Sequence, residues 1–151
     1  MAYVLDCDVG MRKLDLSLID SNGAELWTDQ SPNNENNITE MLLSVLGAYP
    51  ALTCVVEATN RYHVAFAETA YALGLTCLVF NPILAKQQIK TSIRGKKAYR
   101  TDALTIARLG LRGEGLPFIP ELYAATKAYV RGRSRLSVLE GVARTLLQPS
   151  R

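Results

Sequence analysis

The sequence is short of the side chains that most often build metal and redox centres. His63 is the single histidine in 151 residues, and a lone imidazole cannot assemble a cluster. It is expected to pack or to order the start of a helix. The three cysteines, Cys7, Cys54 and Cys77, are an odd set without close spacing, each inside a short apolar run. That pattern argues for reduced, buried thiols acting as small hydrophobes, and against zinc sites and disulfides. Long hydrophobic runs are also missing, because charge or turn residues interrupt every one before it reaches membrane-spanning length. The opening "MAYVLDCDVG" has no basic segment and carries acids early, so no secretory leader and a cytoplasmic location are expected.

What remains is a chain of single-domain length with 48% apolar residues, enough for a real core. The net charge of +3 hides a strong asymmetry. Residues 1–85 carry three bases against ten acids (net −7), and residues 86–151 carry fourteen bases against four acids (net +10). Such a split points to a polyanion partner on one surface, although a solvated basic face gives the same count.

"YVLDCDV" reads as a strand, and "KLDLSLID" as a second, with Leu14, Leu16 and Leu18 alternating with Asp15, Ser17 and Ile19. "SNG" at 21–23 is a hairpin turn in which Asn22 and Gly23 are expected to take positive φ. "AELWTDQ" is a weaker edge strand. A helix follows "SPNNENN", with Ile38, Leu42, Val45, Leu46 and Tyr49 at helical spacing, Asn37 as the expected cap and Pro50 as the stop. "LTCVVE" (52–57) and "LTCLVF" (75–80) read as buried strands. Between them lies an apolar helix with Thr59 or Asn60 as its cap and Gly74 after its end. A helical, increasingly basic segment begins at Ile83.

Three antiparallel strands followed by strand–helix–strand units make the first, fourth and fifth strands parallel neighbours. The expected fold class is α/β, a ribonuclease H-like mixed five-stranded sheet with helices on its faces. The expected organisation is a domain over 1–112, a linker "GEGLPFIP" at 113–120, and one long helix over 121–147 within the remaining 121–151. That helix carries a patchy apolar stripe of Leu122, Ala125, Tyr129, Leu136, Leu139, Val142 and Leu146, which needs a partner to cover it.

Asp8 ends the first strand and Glu57 ends the fourth. If those strands are adjacent and parallel, both carboxylates emerge at one sheet edge, where open α/β sheets put their sites. Asp102 begins a helix able to cross that edge. Gathered carboxylates repel, and a hard divalent cation such as Mg²⁺ or Mn²⁺ removes the conflict. A metal pair beside a basic patch would suit phosphodiester cleavage. Each acid taken singly is equally an ordinary cap or strand end. Asp6 shares a face with Asp8 and is a further possible ligand, but a solvated or ion-paired role is the expectation for it.

The segments "DVGMRKLDLSLID", "VVEATNRYH" and "NPILAKQQIKTSIRGKKAYRTDALTIARLG" together resemble the DEDD transposases of the insertion sequence one-hundred-and-ten family, in order and spacing, over about residues 3–112. That family includes the pilin-gene inverting recombinases. The resemblance implies a RuvC-like domain, metal-dependent DNA strand cleavage and exchange, and Mg²⁺ (or Mn²⁺) held by four acids. Carried over, the catalytic positions are Asp8, Glu57, Asp102 and Thr105, with metal ligands Asp8, Glu57 and Asp102. Thr105 stands where the fourth acid belongs, Met11 replaces a lysine, and Asn60-Arg61 replaces a glycine-rich pair.

The family also implies DNA and an element-encoded guide RNA as partners, and a C-terminal serine domain that nothing in this sequence matches. Association of copies through the C-terminal helix is expected, and no membrane. Lys86, Lys90, Arg94, Lys96, Lys97 and Arg100 are the candidate phosphate contacts, with few aromatics among them for base stacking. The rival readings are a Holliday-junction-resolvase-like nuclease, an actin-like kinase using Asp8 and Gly10, and a nucleic-acid-binding module without activity. The kinase needs a second similar half and glycine-rich phosphate loops, and neither is found.

Overall fold

The computed structural model describes residues 2–83 and 98–146, with backbone alone for 98–104 and 144–146. It opens with three strands in a meander, β1 (Tyr3–Val9), β2 (Lys13–Ile19) and β3 (Glu25–Pro32). Helix α1 (Glu35–Ala48), strand β4 (Leu52–Glu57), helix α2 (Val64–Ala72) and strand β5 (Thr76–Phe80) follow. Helix α3 (Ala98–Leu111), the two-residue strand β6 (Leu116–Pro117) and helix α4 (Pro120–Leu146) complete it. The sheet order is β3-β2-β1-β4-β5-β6. β1 pairs antiparallel with β2 and parallel with β4, and β4 pairs parallel with β5.

Two compact units result, residues 1–118 and 119–151. Among the described residues no helix is long and apolar enough to cross a membrane.

The sheet has six strands rather than the expected five. The additional strand lies inside the stretch expected to link. There Leu116 and Pro117 pair with β5, the Phe118 N–H donates to the Cys77 carbonyl at 2.8 Å, and the Phe118 ring is buried. A two-residue strand is too short to leave a periodicity in sequence.

Strand alternation sorts the core onto two faces. Val4, Ile19, Val55, Leu78 and Phe80 point to one face, where Ile106, Ala107 and Leu109 of α3 cover them. Leu5, Cys7, Leu14, Leu16, Leu18, Cys54 and Val56 point to the other and are buried. Helices α1 and α2 pack on each other, α1 on β3 and α2 on β5. All three cysteines are free and buried, as their composition implied. Burial pushes each thiol up, Cys77 to about 12, so none is a nucleophile at neutral pH.

Local signals explain the element ends, and three differ from the sequence reading. Asn34, not Asn37, caps α1: its side chain accepts the Asn37 N–H at 3.0 Å, so the helix starts inside the polar loop. The β2–β3 turn uses positive φ at Gly23 (78°) but not at Asn22. The Asp20 carboxylate supplies the rest, accepting the Asn22 and Ala24 N–H groups at 2.8 and 2.9 Å. Neither Thr59 nor Asn60 caps α2; His63 occupies that position and makes no side-chain cap bond. Asn60 instead takes φ 53° in the β4–α2 loop, the left-handed region where glycine is least strained and asparagine next.

Helix α3 closes with a Schellman cap. The Glu114 N–H reaches the Leu109 carbonyl at 3.1 Å and the Gly113 N–H the Gly110 carbonyl at 2.9 Å, with Gly113 at φ 71°. Gly110 sets the approach of α3 to the sheet. A Cβ there would overlap Val55 Cγ2 and press on Val4 Cγ1 at 3.4 Å.

Gly110→Ala is expected to lower stability by about 1–2 kcal/mol in urea unfolding, because overpacking outweighs the helix-propensity gain of about 1 kcal/mol. In a double-mutant cycle with Val55→Ala the loss should be strongly non-additive. At the loop, Asn60→Val should cost about 1–2 kcal/mol while Asn60→Gly is tolerated, checked by the same unfolding curves.

Candidate active site

The site begins with strand register. β1 and β4 run parallel with Asp6 beside Val55 and Cys7 beside Val56, so Asp8 and Glu57 come next, on neighbouring strands about 5 Å apart. Both lie on the face that α3 covers, since Val4, Asp6 and Asp8 share a face, as do Val55 and Glu57. Asp8 is exposed and Glu57 half-buried at the C-terminal edge. The sequence reading put these two acids at one edge, and the register brings them to the same face as well.

The same face carries two more acids. Asp15 on β2 lies directly opposite Asp8, and like charges so placed repel. Lys13 answers this with an ion pair to Asp15 at 3.2 Å, and Gln30 Nε2 donates a short hydrogen bond to the same carboxylate. Asp6 is different. It is 4% exposed, so of the solvated or ion-paired role expected for it the solvated alternative is wrong. Burial first, then the charges of Asp8 and Glu57, hold its carboxyl well above the usual carboxylate range, against a backbone hydrogen bond from Cys7. Its face was legible in the i, i+2 spacing to Asp8. Its burial was not, because that depends on the helix laid over it.

Two loops frame the edge, and one residue that the sequence reading passed over ties them. Asn33 Nδ2 donates to the Gly10 carbonyl at 2.8 Å and to the Tyr62 carbonyl at 3.1 Å, joining the β1–β2 turn to the β4–α2 loop. Its backbone N–H also donates to the Arg12 carbonyl at 2.9 Å. His63 is buried behind that loop. Desolvation lowers its pKa, opposed by hydrogen bonds with the Asn60 and Thr59 backbone. It packs at the start of α2 without a side-chain cap bond there.

Asp102 lies in α3, but its side chain is outside the described residues, as is that of Arg100. Lys86, Lys90, Arg94, Lys96 and Lys97 lie outside the described residues altogether. Thr105 is half-buried on α3, one turn after Asp102. Among the described residues no three His, Cys, Asp or Glu side chains are drawn together tightly enough to form a metal cluster. The chemistry of the donors still fits a hard cation. Carboxylates crowd one face, and Lys13 pairs with one of them, Asp15.

Comparison with solved structures aligns the chain with RuvC of Thermus thermophilus in complex with a Holliday junction substrate. The match has 16% identity and a TM-score of 0.54, covering 78% of this chain and 100% of that one. A second Thermus thermophilus RuvC structure aligns with 17% identity and a TM-score of 0.55, over 77% and 99%. At such identity the likeness establishes the fold: an α/β, RuvC-like mixed sheet with helices on its faces. No curated relative matches. A family model described as a transposase, for the DEDD transposases of the IS110 type, matches residues 7–140. The chain belongs to the IS110 family of DEDD transposases.

Proposed function

We propose that this chain carries the acidic catalytic site for metal-dependent DNA strand cleavage and exchange, with Asp8, Glu57 and Asp102 as ligands of Mg²⁺ or Mn²⁺. The observation that supports it most is the parallel β1–β4 register, which sets Asp8 and Glu57 side by side on the face under α3. The course of α3 supports the third ligand. Gly110 sits over Val4 and Val55, and α3 packs chiefly along β1. Eight residues of helix span about 12 Å. Four residues of strand, from Val4 to Asp8, span about 13 Å. Position 102 thus falls at the level of Asp8. It also continues the stripe of buried Ile106 and Leu109 by one and two turns.

When bound, the ions supply a polarised phosphodiester and an activated attacking hydroxyl. The chain's own residues do the rest. The rigid β1 and β4 ends hold two carboxylates in fixed relation, and the Asn33 tie keeps the flanking loops from spreading. Thr105 offers a neutral hydroxyl where the resemblance expects a fourth acid. Lys86, Lys90, Arg94, Lys96, Lys97 and Arg100 hold the backbone of DNA, or of an element-encoded guide RNA, as phosphate contacts.

Copies associate through α4, where exposed Leu122, Tyr129, Leu136 and Leu139 recur at intervals of seven and three, the spacing of a coiled-coil seam. A second reading, a nucleic-acid-binding module without cleavage, is favoured by Thr105 alone.

Asp102→Ala is expected to reduce Mg²⁺-dependent nicking of branched or element-end DNA at least about 100-fold. Unchanged nicking would sink the assignment, and a wild-type chain that binds DNA without nicking would favour the module. DNA binding itself should weaken with salt, log K falling against log salt with a slope of about −5 for six phosphate contacts. A slope near zero would remove the basic segment from the interface.

A further inference from the structure

We infer that the outer edge of β3, with the groove between β3 and α1, takes an extended cationic segment of a partner protein as an added antiparallel strand. The groove lies on the sheet face turned away from α3, and its role does not depend on the metal reading.

β3 is the last strand on its side of the sheet, and among the described residues no strand pairs with its outer side. The ladder to β2 fixes which backbone groups point outward. The Asn33 N–H donates to the Arg12 carbonyl at 2.9 Å, so Ser31, Asp29 and Trp27 turn their backbone groups to β2, and Thr28 and Gln30 turn theirs away from it. The Asp29 carboxylate accepts the Gln30 N–H at 2.8 Å. The Thr28 N–H and carbonyl and the Gln30 carbonyl form the template for a short added strand. Pro32, which has no N–H to offer, ends that edge.

A groove of about 640 Å³ runs alongside. Trp27 and Asp29 pair with the buried Leu18 and Leu16, so their side chains share the face of those leucines. Met41, Val45 and Tyr49 line the groove from the α1 side, and exposed Asp29 and Glu40 give it its charge. Every second side chain of an added strand would enter this groove, about 5 Å from β3.

Charge selects the occupant. Residues 14–60 hold seven acids and no base. Edge strands are guarded against pairing with their own kind by charge, and here the guard has one sign. A second copy of β3 would set acid against acid, which destabilises a cross-strand pair. A lysine or arginine meets the opposite situation. Its stem covers the half-buried Trp27 ring, and its head reaches Asp29 or Glu40. The Asp29 carboxylate keeps lone pairs for a guanidinium while it holds the Gln30 N–H. The ligand is therefore an extended segment with basic residues at alternate positions.

Trp27 is the single tryptophan of the chain, so its emission reports on the groove directly. The full chain is titrated at near-physiological salt with a capped peptide of about eight residues, alternating Arg and Thr. A saturable change in Trp27 emission is expected. Asp29→Asn should weaken binding about 2–5-fold and Glu40→Lys at least about 5-fold, the scale of a lost or reversed charge pair. Circular dichroism should show both variants folded as wild type. The peptide's Thr residues lie opposite Thr28 and Gln30, so N-methylation of the Thr amides should weaken binding at least about 10-fold, and N-methylation of the Arg amides should not. An isomer with its arginines in one block should bind as poorly as the Thr-methylated peptide. Equal binding of the block isomer or of the two methylated peptides would reduce the contact to bulk charge attraction and overturn the inference. Unmoved emission at millimolar peptide, or equal affinity in both variants and wild type, would overturn it too. A concentration-dependent emission change without peptide, abolished by Asp29→Lys, would give the edge to a second copy and overturn the partner segment.

Discussion

The parallel pairing of β1 with β4 is the constraint on which this site depends. Forty-nine residues separate Asp8 from Glu57, and nothing local draws them together. The register, Cys7 beside Val56, does so with backbone hydrogen bonds whose spacing allows no half-step. A slip of one residue would turn Glu57 to the opposite face, among the buried Leu5, Cys7 and Val56. The apolar core prevents that slip, because the same shift would throw Val55 out of its contact with α3 and drive Thr53 into the opposite layer. Packing energy at one end of the strands thus fixes carboxylate geometry at the other.

That division of one sheet face into two regions is the main physical feature of the molecule. Toward the N-terminal ends of β1 and β4 the face is apolar: Val4, Ile19 and Val55 lie under Ile106, Ala107 and Leu109, with Gly110 allowing the helix down onto them. Toward the C-terminal ends it is acidic, with Asp6, Asp8, Asp15 and Glu57. Lys13 and Gln30 neutralise and orient one acid, Asp15. The charges of Asp8 and Glu57 bear on buried Asp6, and α3, anchored on the apolar region beyond, holds the layers together against that repulsion.

Much of the architecture was legible in the residues. Alternating Leu14, Leu16 and Leu18 gave β2, the short apolar runs gave β4 and β5, and the order of elements gave the parallel neighbours. The placement of Asp8 and Glu57 at strand ends was equally readable, and so was the inert character of the cysteines. The errors share a cause. Asn34 and Asn37 are both competent caps, and the choice between them turns on where α1 meets the sheet. Asn22 and Asp20 are both competent turn formers, and the Asp20 carboxylate reached the free N–H groups first. Strand β6 exists only because β5 offers an unpaired edge, which no property of Leu116 or Pro117 announces.

The amino-acid sequence by itself determined the elements, their order and the identity of the acids, because side-chain periodicity and turn chemistry act over a few residues. Tertiary structure alone decided that Asp6 is buried, that Asp15 faces Asp8, and that Asn33 clasps two loops across 23 and 29 residues of chain. Solvent access and cross-strand neighbours are properties of the assembled layers. A carboxylate on a strand carries no local mark that says whether a helix will be laid over it.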